Sequence, residues 1–272
     1  MTGWSIVTPV KPLGLAKSRL RATLPAAAAL SAYYLSGPDP FGALDGELGL
    51  PGDGDGDWHA AMALAMALDT VAALLGSARV DRVVVVTEDP VVASALGELG
   101  AVCVPDPPSP GGGTAGLNSA LRQGASVAGL LAATDGRGRA GIASVGADLP
   151  ALKSSDLDAA LRAAEQLGVR SFVPDAAGTG TTLLAAPRGH ALEPAYGPGS
   201  ALVHARDGAV DLTTAPGYPG WPSLRQDVDT AADLSAVRTL GLGSRTAAVL
   251  EIGVSSVGQK APSPARTAPI HI

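Results

Sequence analysis

A single carboxylate at the end of a short apolar run has a position that suits metal chemistry. Residues 142–145 form the apolar run, and a Gly-Ala pair, Asp148, a leucine and Pro150 follow it. Proline cannot continue a central ladder, so the strand is predicted to stop there and to leave Asp148 at its carboxyl end, where ligands bind in open α/β sheets. Mg²⁺ typically takes one or two carboxylates together with substrate phosphates. The alternative is that Asp148 caps the turn before the next helix.

Two further carboxylates, Asp227 and Asp229, follow a long loop rich in proline and glycine. We interpret these two residues, which flank a valine, as pointing to opposite sides of an extended segment. On that interpretation only one of them easily joins Asp148 at a metal, and we favour Asp229. Thr230 and Asp233 come directly afterwards and form a capping box, which predicts the start of a helix.

Cationic side chains near the amino terminus indicate a place for phosphate groups. Four basic residues precede the first acidic residue of the chain: Lys11, Lys17, Arg19 and Arg21. A strand, a loop with prolines and a glycine, and a cationic helix start commonly hold phosphates, because backbone N–H groups and lysines converge there. A solvated basic turn is the alternative interpretation.

Three glycine-rich stretches are candidates for anion binding. Gly-Thr-Gly-Thr-Thr at 178–182 and Tyr-Gly-Pro-Gly-Ser at 196–200 offer hydroxyls and free amides, although both are explained equally by tight turns. Residues 111–116 formally match G-x-G-x-x-G, but they do not follow a strand directly, so we interpret them as a loop. Gly116 and Asn118 are predicted to begin a helix whose first backbone N–H groups face a nucleotide. The alternative is that Asn118 serves only as the N-cap of this helix.

The composition limits the classes of function. The chain has 272 residues, 46% of them hydrophobic, which is enough for a sizeable core. Its net charge of −6 argues against a nucleic-acid binder, and a basic segment in an acidic protein indicates a small anionic ligand. No signal peptide is apparent, and the apolar run at 60–75 is too short for a comfortable membrane span. We therefore expect a soluble cytoplasmic protein that contacts no membrane.

Alternating strand-like and helix-like segments predict an α/β fold. Residues 82–87 (Arg-Val-Val-Val-Val-Thr) have the pattern of a central parallel strand that is buried on both faces. Residues 60–75 predict a buried helix, and Ser155 with Asp158 forms a capping box for another helix over 157–167.

We predict one domain over residues 1–243. A surface insertion at about 36–57 is rich in glycine, proline and aspartate and lacks apolar periodicity. Residues 244–272 are predicted to form a flexible tail, because polar residues and prolines grow frequent there.

Several of these segments together resemble one enzyme family. In chain order they are Pro-Val-Lys-Pro-Leu at 9–13, Ala-Lys-Ser-Arg-Leu at 16–20, Gly-Leu-Asn at 116–118, Gly-Ala-Asp-Leu-Pro at 146–150, Tyr-Gly-Pro-Gly-Ser at 196–200, and Asp-Val-Asp-Thr at 227–230 with Asp-Leu at 233–234. The pattern closely resembles the guanylyltransferase family of coenzyme F-420 biosynthesis, over residues 4 to about 240. The resemblance implies a three-layer α/β/α sandwich with a mostly parallel central sheet, of the nucleotidyltransferase (glycosyltransferase-A-like) type. It also implies GTP as the donor and Mg²⁺ as the cofactor.

The resemblance further implies roles for individual residues. The implied catalytic residues are Lys17, Arg19 and Asp148, and the implied metal ligands are Asp148 and Asp229. The implied nucleotide-binding residues are Lys11, Lys17, Gly116 and Asn118. Thr182 or its neighbour Thr181, together with Gly197 and Ser200, matches the segments that hold the phosphorylated three-carbon acid. The insertion at 36–57 departs from the family but interrupts none of these motifs.

The implied reaction transfers GMP from GTP to the phosphate of phosphoenolpyruvate or 2-phospho-L-lactate and releases pyrophosphate. An acceptor phosphate is already anionic at neutral pH, so no protein nucleophile or strong base is required, and the sequence has no convincing Ser/His/Asp or Cys/His set. Catalysis then consists of positioning and charge neutralisation. The product is expected to pass to a transferase that builds the coenzyme tail.

Phosphoenolpyruvate is the favoured acceptor, because the Gly-Thr-Gly-Thr-Thr turn and the Ala/Gly/Arg-rich composition resemble actinobacterial members of the family. Two other functions stay open. A nucleotidyltransferase of the molybdopterin or sugar-phosphate type is disfavoured, since such enzymes open with a Gly-Gly-x-Ser/Thr-x-Arg-Met-Gly-like loop. A non-catalytic nucleotide-binding protein of the same fold is disfavoured by the presence of both Asp148 and Asp229.

Overall fold

The computed structural model describes residues 3–15, 20, 55–107, 113–135, 141–214 and 218–257, without the side chains of 55–57 and 252–257. Two predicted catalytic residues, Lys17 and Arg19, lie outside the described residues. The predicted insertion also lies outside them, apart from its last three residues, which begin a helix.

Within the described residues, seven strands form one sheet. They are β1 (Trp4–Pro9), β2 (Val80–Val86), β3 (Val102–Val104), β4 (Gly141–Val145), β5 (Ser171–Pro174), β6 (Thr181–Ala186) and β7 (Val210–Asp211). Their order in space is β3-β2-β1-β4-β6-β5-β7. Strand β6 pairs antiparallel with β4 and β5, and the other pairs are parallel. The predicted mostly parallel sheet is confirmed.

Helices cover both faces of this sheet. They are α1 (Asp55–Leu75), α2 (Pro90–Glu98), α3 (Gly113–Thr134), α4 (Ser154–Leu167), α5 (Ser200–Arg206), α6 (Pro222–Arg225), α7 (Ala231–Arg238) and α8 (Ser244–Val257). Apolar side chains of α1, α2 and α4 pack on one face, whereas those of α3 and α5 pack on the other. The predicted three-layer α/β/α sandwich is confirmed.

Strand β2 illustrates why the sheet must be covered twice. Val83 and Val85 belong to the core cluster that includes α1, whereas Val84 and Val86 pack against α3. Successive side chains of a strand point to opposite faces, so four consecutive valines supply apolar surface to both layers. All four valines are fully buried.

Helix α1 is the central helix of its layer. By length and composition its segment Trp58–Leu75 is apolar enough to cross a membrane, but 78% of this segment is buried inside the protein. It is therefore a core helix that packs against the sheet and against α8.

The segment that begins at Ser244 was predicted to be flexible, and this prediction is wrong for residues 244–257, which form α8. Asp69 of α1 is nearly buried and accepts hydrogen bonds from the N–H groups of Arg245 (3.3 Å) and Thr246 (2.8 Å). The first N–H groups of a helix have no partner within the helix, and a carboxylate near them is also stabilised by the helix dipole. A residue far away in the sequence thus caps α8.

Of the two predicted capping boxes, one is confirmed. Thr230 and Asp233 bond reciprocally at the start of α7. Helix α4 instead follows Lys153 and has no side-chain cap. The carboxylate of Asp158 accepts a hydrogen bond from Ser77 of the α1–β2 connection, so the Ser155–Asp158 box was an incorrect prediction.

Candidate active site

A cavity of about 700 Å³ opens at the edge of the sheet where β1, β4 and β5 end. Because β6 runs antiparallel to β4, its first residues, Thr181 and Thr182, lie at this same edge. The cavity is therefore lined by the carboxyl ends of parallel strands, which is the usual place for ligands in open α/β sheets. Turns that precede α5 and α7 complete its wall.

Three carboxylates line one part of this cavity: Asp148, Asp227 and Asp229. The Val228 N–H donates a hydrogen bond to the Asp148 carbonyl (3.0 Å), which holds the later segment alongside the end of β4. Val228 itself is fully buried. The interpretation that Asp227 and Asp229 point to opposite sides was wrong, because both line the cavity, as alternate residues of an extended segment can do.

The carboxylates repel one another in this position. Burial and, to a smaller extent, the negative charges of Asp148, Asp229 and Asp175 together raise the pKa of Asp227 to about 7. Like charges that share a partly desolvated site disfavour full ionisation. A bound cation would relieve this repulsion.

The loop after β1 brings Lys11 to the cavity, as predicted. Its conformation depends on Asp89, whose Oδ2 accepts a hydrogen bond from the Leu13 N–H (2.9 Å). The other oxygen of Asp89 caps α2 by accepting hydrogen bonds from the N–H groups of Val91 and Val92. One carboxylate therefore ties the Lys11 loop to a rigid helix start.

The four residues predicted to hold the three-carbon acid all line the cavity. They are Thr181, Thr182, Gly197 and Ser200. Ser200 is the first residue of α5, and its hydroxyl donates a hydrogen bond to Thr181 Oγ1 (3.2 Å). Gly197 has a φ of 149°, and a Cβ there would lie 3.2 Å from Thr114 Cγ2, so both its backbone and its surroundings favour glycine.

Asp175 is a cavity residue that the sequence analysis missed. Its carboxylate accepts hydrogen bonds from the backbone N–H groups of Thr179 (2.9 Å) and Gly180 (2.8 Å), which closes the turn between β5 and β6. An aspartate at a strand end, followed within a few residues by Gly-Thr-Gly, is the signal that could have found it.

Asn118 has partners of its own within the protein. Its amide nitrogen donates to the carbonyls of Thr114 and Tyr196 (2.9 Å each), and its oxygen accepts from the Tyr196 N–H (2.8 Å). These bonds fasten the turn before α5 to α3. Neither Asn118 nor Gly116 is among the residues that line the cavity, and their contact with a nucleotide stays a prediction.

Comparison with known proteins identifies the family of this chain. Residues 64–207 match the family model of the MobA-like NTP transferase domain. The phosphoenolpyruvate guanylyltransferase of Salinispora arenicola (strain CNS-205) is 44% identical over 257 residues, which are 94% of this chain and 97% of that protein. The phosphoenolpyruvate guanylyltransferase of Streptomyces scabiei (strain 87.22) is 46% identical over 245 residues, which are 90% and 94% of the two chains. This chain belongs to the phosphoenolpyruvate guanylyltransferase family.

A solved structure supports the same fold. The crystal structure of a nucleotide-diphospho-sugar transferase-type protein from Desulfovibrio desulfuricans G20 superposes with a TM-score of 0.53 and covers 95% of this chain and 98% of its own. The sequence identity is 15%, so the similarity concerns the fold alone. The chain is a nucleotidyltransferase because it belongs to this family, as the resemblance implied.

The lining of the cavity includes two chemically different sets of residues. The acidic wall consists of Asp148, Asp227 and Asp229, and the hydroxyl-bearing wall consists of Thr181, Thr182, Gly197 and Ser200. Among the described residues, no three histidine, cysteine or carboxylate side chains are arranged to hold a metal by themselves. Mg²⁺ would not require such a set, because it commonly combines one or two carboxylates with water molecules and phosphate oxygens.

Proposed function

We propose that this protein transfers the guanylyl group of GTP to phosphoenolpyruvate, giving enolpyruvoyl-2-diphospho-5'-guanosine and pyrophosphate. The observation that carries the proposal is that one cavity is lined both by an acidic wall, with Asp148 and Asp229, and by a hydroxyl-bearing wall, with Thr181 and Ser200. Such a cavity suits two anionic substrates, one bound through a cation and the other through hydrogen bonds. The names of relatives that match over nine-tenths of the chain support the identity of both substrates.

Magnesium is the cofactor that fits the acidic wall. The donors are carboxylate oxygens, which hard divalent cations prefer, and their mutual repulsion favours a bound cation. Asp148 and Asp229 are the residues that we propose as ligands. When bound there, Mg²⁺ would neutralise charge on the triphosphate and so favour attack at its α-phosphorus.

The residues of the chain then supply position and charge. We propose that Lys11, which the Asp89-bound loop holds at the cavity, pairs with phosphate oxygens of GTP. Thr181, which accepts a hydrogen bond from Ser200, binds the acceptor so that its phosphate oxygen approaches the α-phosphorus while the bond to pyrophosphate breaks. Orientation of two bound reactants supplies much of the rate, because the acceptor phosphate needs no deprotonation. Lys17 and Arg19 remain predicted contributors of positive charge.

The experiment that tests the proposal measures GTP-dependent release of pyrophosphate by the purified protein. We expect release with phosphoenolpyruvate and Mg²⁺, none without an acceptor, and none after removal of divalent cations with a chelator. Release that is independent of the acceptor would indicate a GTP pyrophosphohydrolase instead.

We also propose that the reaction takes place in the cytoplasm, where both substrates are made, and that its product passes to the transferase of coenzyme F-420 biosynthesis.

A further inference from the structure

His204 of α5 does not line the cavity, but it contacts Thr181 of the hydroxyl-bearing wall. Its ring is almost completely buried and packs against the rings of Phe172 and Tyr196. Nε2 accepts a hydrogen bond from the backbone N–H of Ala195 (3.0 Å). A backbone N–H can only donate, so Nε2 must carry a lone pair, and a neutral imidazole then has its single proton on Nδ1.

This tautomer decides the direction of the next hydrogen bond. His204 Nδ1 lies 3.0 Å from Thr181 Oγ1, and with its proton on Nδ1 the ring must be the donor. Ser200 Oγ also donates to Thr181 Oγ1 (3.2 Å). A hydroxyl oxygen has two acceptor sites and one proton, so both acceptor sites of Thr181 are filled from within the protein.

The Thr181 hydroxyl proton is therefore left to donate elsewhere. Within the described part of the chain, no hydrogen bond gives this proton an acceptor, and Thr181 is a half-buried residue of the cavity wall. The neighbouring Thr182 differs, because its hydroxyl donates to the Val173 carbonyl inside the sheet (3.4 Å). Of the two threonines, only Thr181 keeps its proton for a ligand.

We infer that His204 is a positioning residue that makes the Thr181 hydroxyl an obligatory hydrogen-bond donor to the anionic acceptor substrate. The inference rests on the proposed function, and it deepens that function by naming the residue that fixes the direction of the hydrogen bond between Thr181 and the acceptor substrate. A hydroxyl that is free to rotate can present either a lone pair or a proton to an anion. A hydroxyl whose two lone pairs are already filled can present only the proton, and an anionic oxygen is its natural partner.

The surroundings of His204 keep the ring neutral. A doubly protonated ring would turn Nε2–H toward the Ala195 N–H and break that bond. Burial and the nearby positive charge of Arg170 lower the pKa of His204, while Asp207 raises it by a smaller amount. The tautomer and the hydrogen-bond direction therefore stay the same across the neutral pH range.

The test combines two isosteric or near-isosteric variants and their double variant. Thr181→Val removes the donor, and we expect its KM for phosphoenolpyruvate to rise about 10- to 100-fold, as for the loss of one hydrogen bond to a charged group. His204→Phe should raise the same KM by about 5- to 10-fold and leave the KM for GTP unchanged. Because His204 acts through Thr181, the double variant should be no worse than Thr181→Val alone.

Two controls separate positioning from packing. His59→Phe makes the same change at another buried histidine, one that does not line the cavity, and should leave the KM for phosphoenolpyruvate unchanged. His204→Asn keeps an N–H donor near the position of Nδ1 and should restore most of the acceptor affinity. Effects of Thr181→Val and His204→Phe that multiply in the double variant would overturn the inference.

A spectroscopic measurement decides the hydrogen-bond pattern without relying on turnover. A long-range ¹H–¹⁵N correlation spectrum of the histidine rings in the full-length protein should show His204 as the Nδ1–H tautomer, assigned by its loss in His204→Phe. The Nε2–H tautomer would overturn the inference even in an active enzyme. A wild-type protein that shows the Nδ1–H tautomer but releases no pyrophosphate with phosphoenolpyruvate would overturn the proposed function, and with it the assignment of the ligand.

Discussion

The N–H of Val228 donates a hydrogen bond to the carbonyl oxygen of Asp148 at 3.0 Å, and this contact joins two distant segments of the chain at the acidic wall. It places the turn before α7 beside the end of β4, so that Asp227 and Asp229 line the same cavity as Asp148. The buried Val228 side chain anchors the segment from the opposite side. The spacing within the later motif places Asp227 and Asp229 on one side of their segment, but only the tertiary structure brings this segment to Asp148.

Replacing Asp148 by asparagine should abolish turnover while the protein stays folded. The change removes an anionic oxygen from the proposed metal site, which costs several kcal/mol of transition-state stabilisation, or a rate loss of about 1,000-fold. The measurement is the rate of pyrophosphate release, with the melting temperature as a check on folding. Asp135→Asn is the matched control, because Asp135 does not line the cavity and, among the described residues, its exposed carboxylate forms an ion pair with Arg82. Near-normal activity of Asp148→Asn would contradict the metal role.

Replacing Asp69 by alanine should lower the free energy of unfolding by about 1–3 kcal/mol, because the N–H groups of Arg245 and Thr246 lose their acceptor. Urea denaturation at constant pH measures the loss. Arg245→Ala is the control, since it removes only the longer ion pair to Asp69 (3.6 Å) and keeps the backbone bonds. Equal losses in the two variants would mean that the ion pair, and not the helix cap, fastens α8 to α1.

Much of the fold could be predicted because the decisive patterns are local. Four consecutive valines in β2 predict a strand with two buried faces, and the Thr230–Asp233 box predicts the start of α7 from four adjacent residues. Helix α8 could not be predicted in this way. Its cap is Asp69, which is distant in the sequence, so local composition indicated only a polar tail.

The residues of the candidate site also differ in whether a local motif or only the tertiary structure reveals them. Asp148, Thr181 and Ser200 stand in short motifs whose residue types already indicate a ligand site, and all three line the cavity. The role of Asn118 depends on its pairing with the backbone of Tyr196, which no sequence pattern reveals. The hydrogen bonds of His204 are likewise visible only when β6 and α5 are seen together.

Acid should destabilise the protein through His204. Burial and the positive charge of Arg170 lower the pKa of this histidine to about 4 in the folded state, against an ordinary value near 6.5. The negative charge of Asp207 opposes this shift. The Tyr196 ring packs against the imidazole. Below pH 6.5 the unfolded chain gains a proton that the folded chain cannot bind, so stability falls as the pH decreases from about 6.5 to about 4. At pH 5 the expected loss from this residue is about 2 kcal/mol.

The measurement for this prediction is the free energy of unfolding of the wild-type protein and of His204→Asn at pH 7.5 and at pH 5. The variant has no titratable group at this position, so the wild-type protein should lose more of its free energy of unfolding than the variant when the pH falls from 7.5 to 5. If the difference in free energy of unfolding between the two proteins is the same at both pH values, His204 has an ordinary pKa in the folded state.

Phosphoenolpyruvate should win a direct competition against 2-phospho-L-lactate. Both acids offer a carboxylate and a phosphate to the hydroxyl-bearing wall, and they differ only at the middle carbon, which is planar in one and tetrahedral with a methyl group in the other. A pocket that distinguishes them by shape can supply roughly 1–3 kcal/mol, so some product from the weaker acceptor is expected. With equal concentrations of both acids and limiting GTP, mass spectrometry of the two guanylated products should give a ratio of about 10 or more in favour of phosphoenolpyruvate. Asp148→Asn should form neither product under the same conditions. If the phospholactate product dominates, the acceptor assignment is wrong, whereas guanylyl transfer as the reaction type stands.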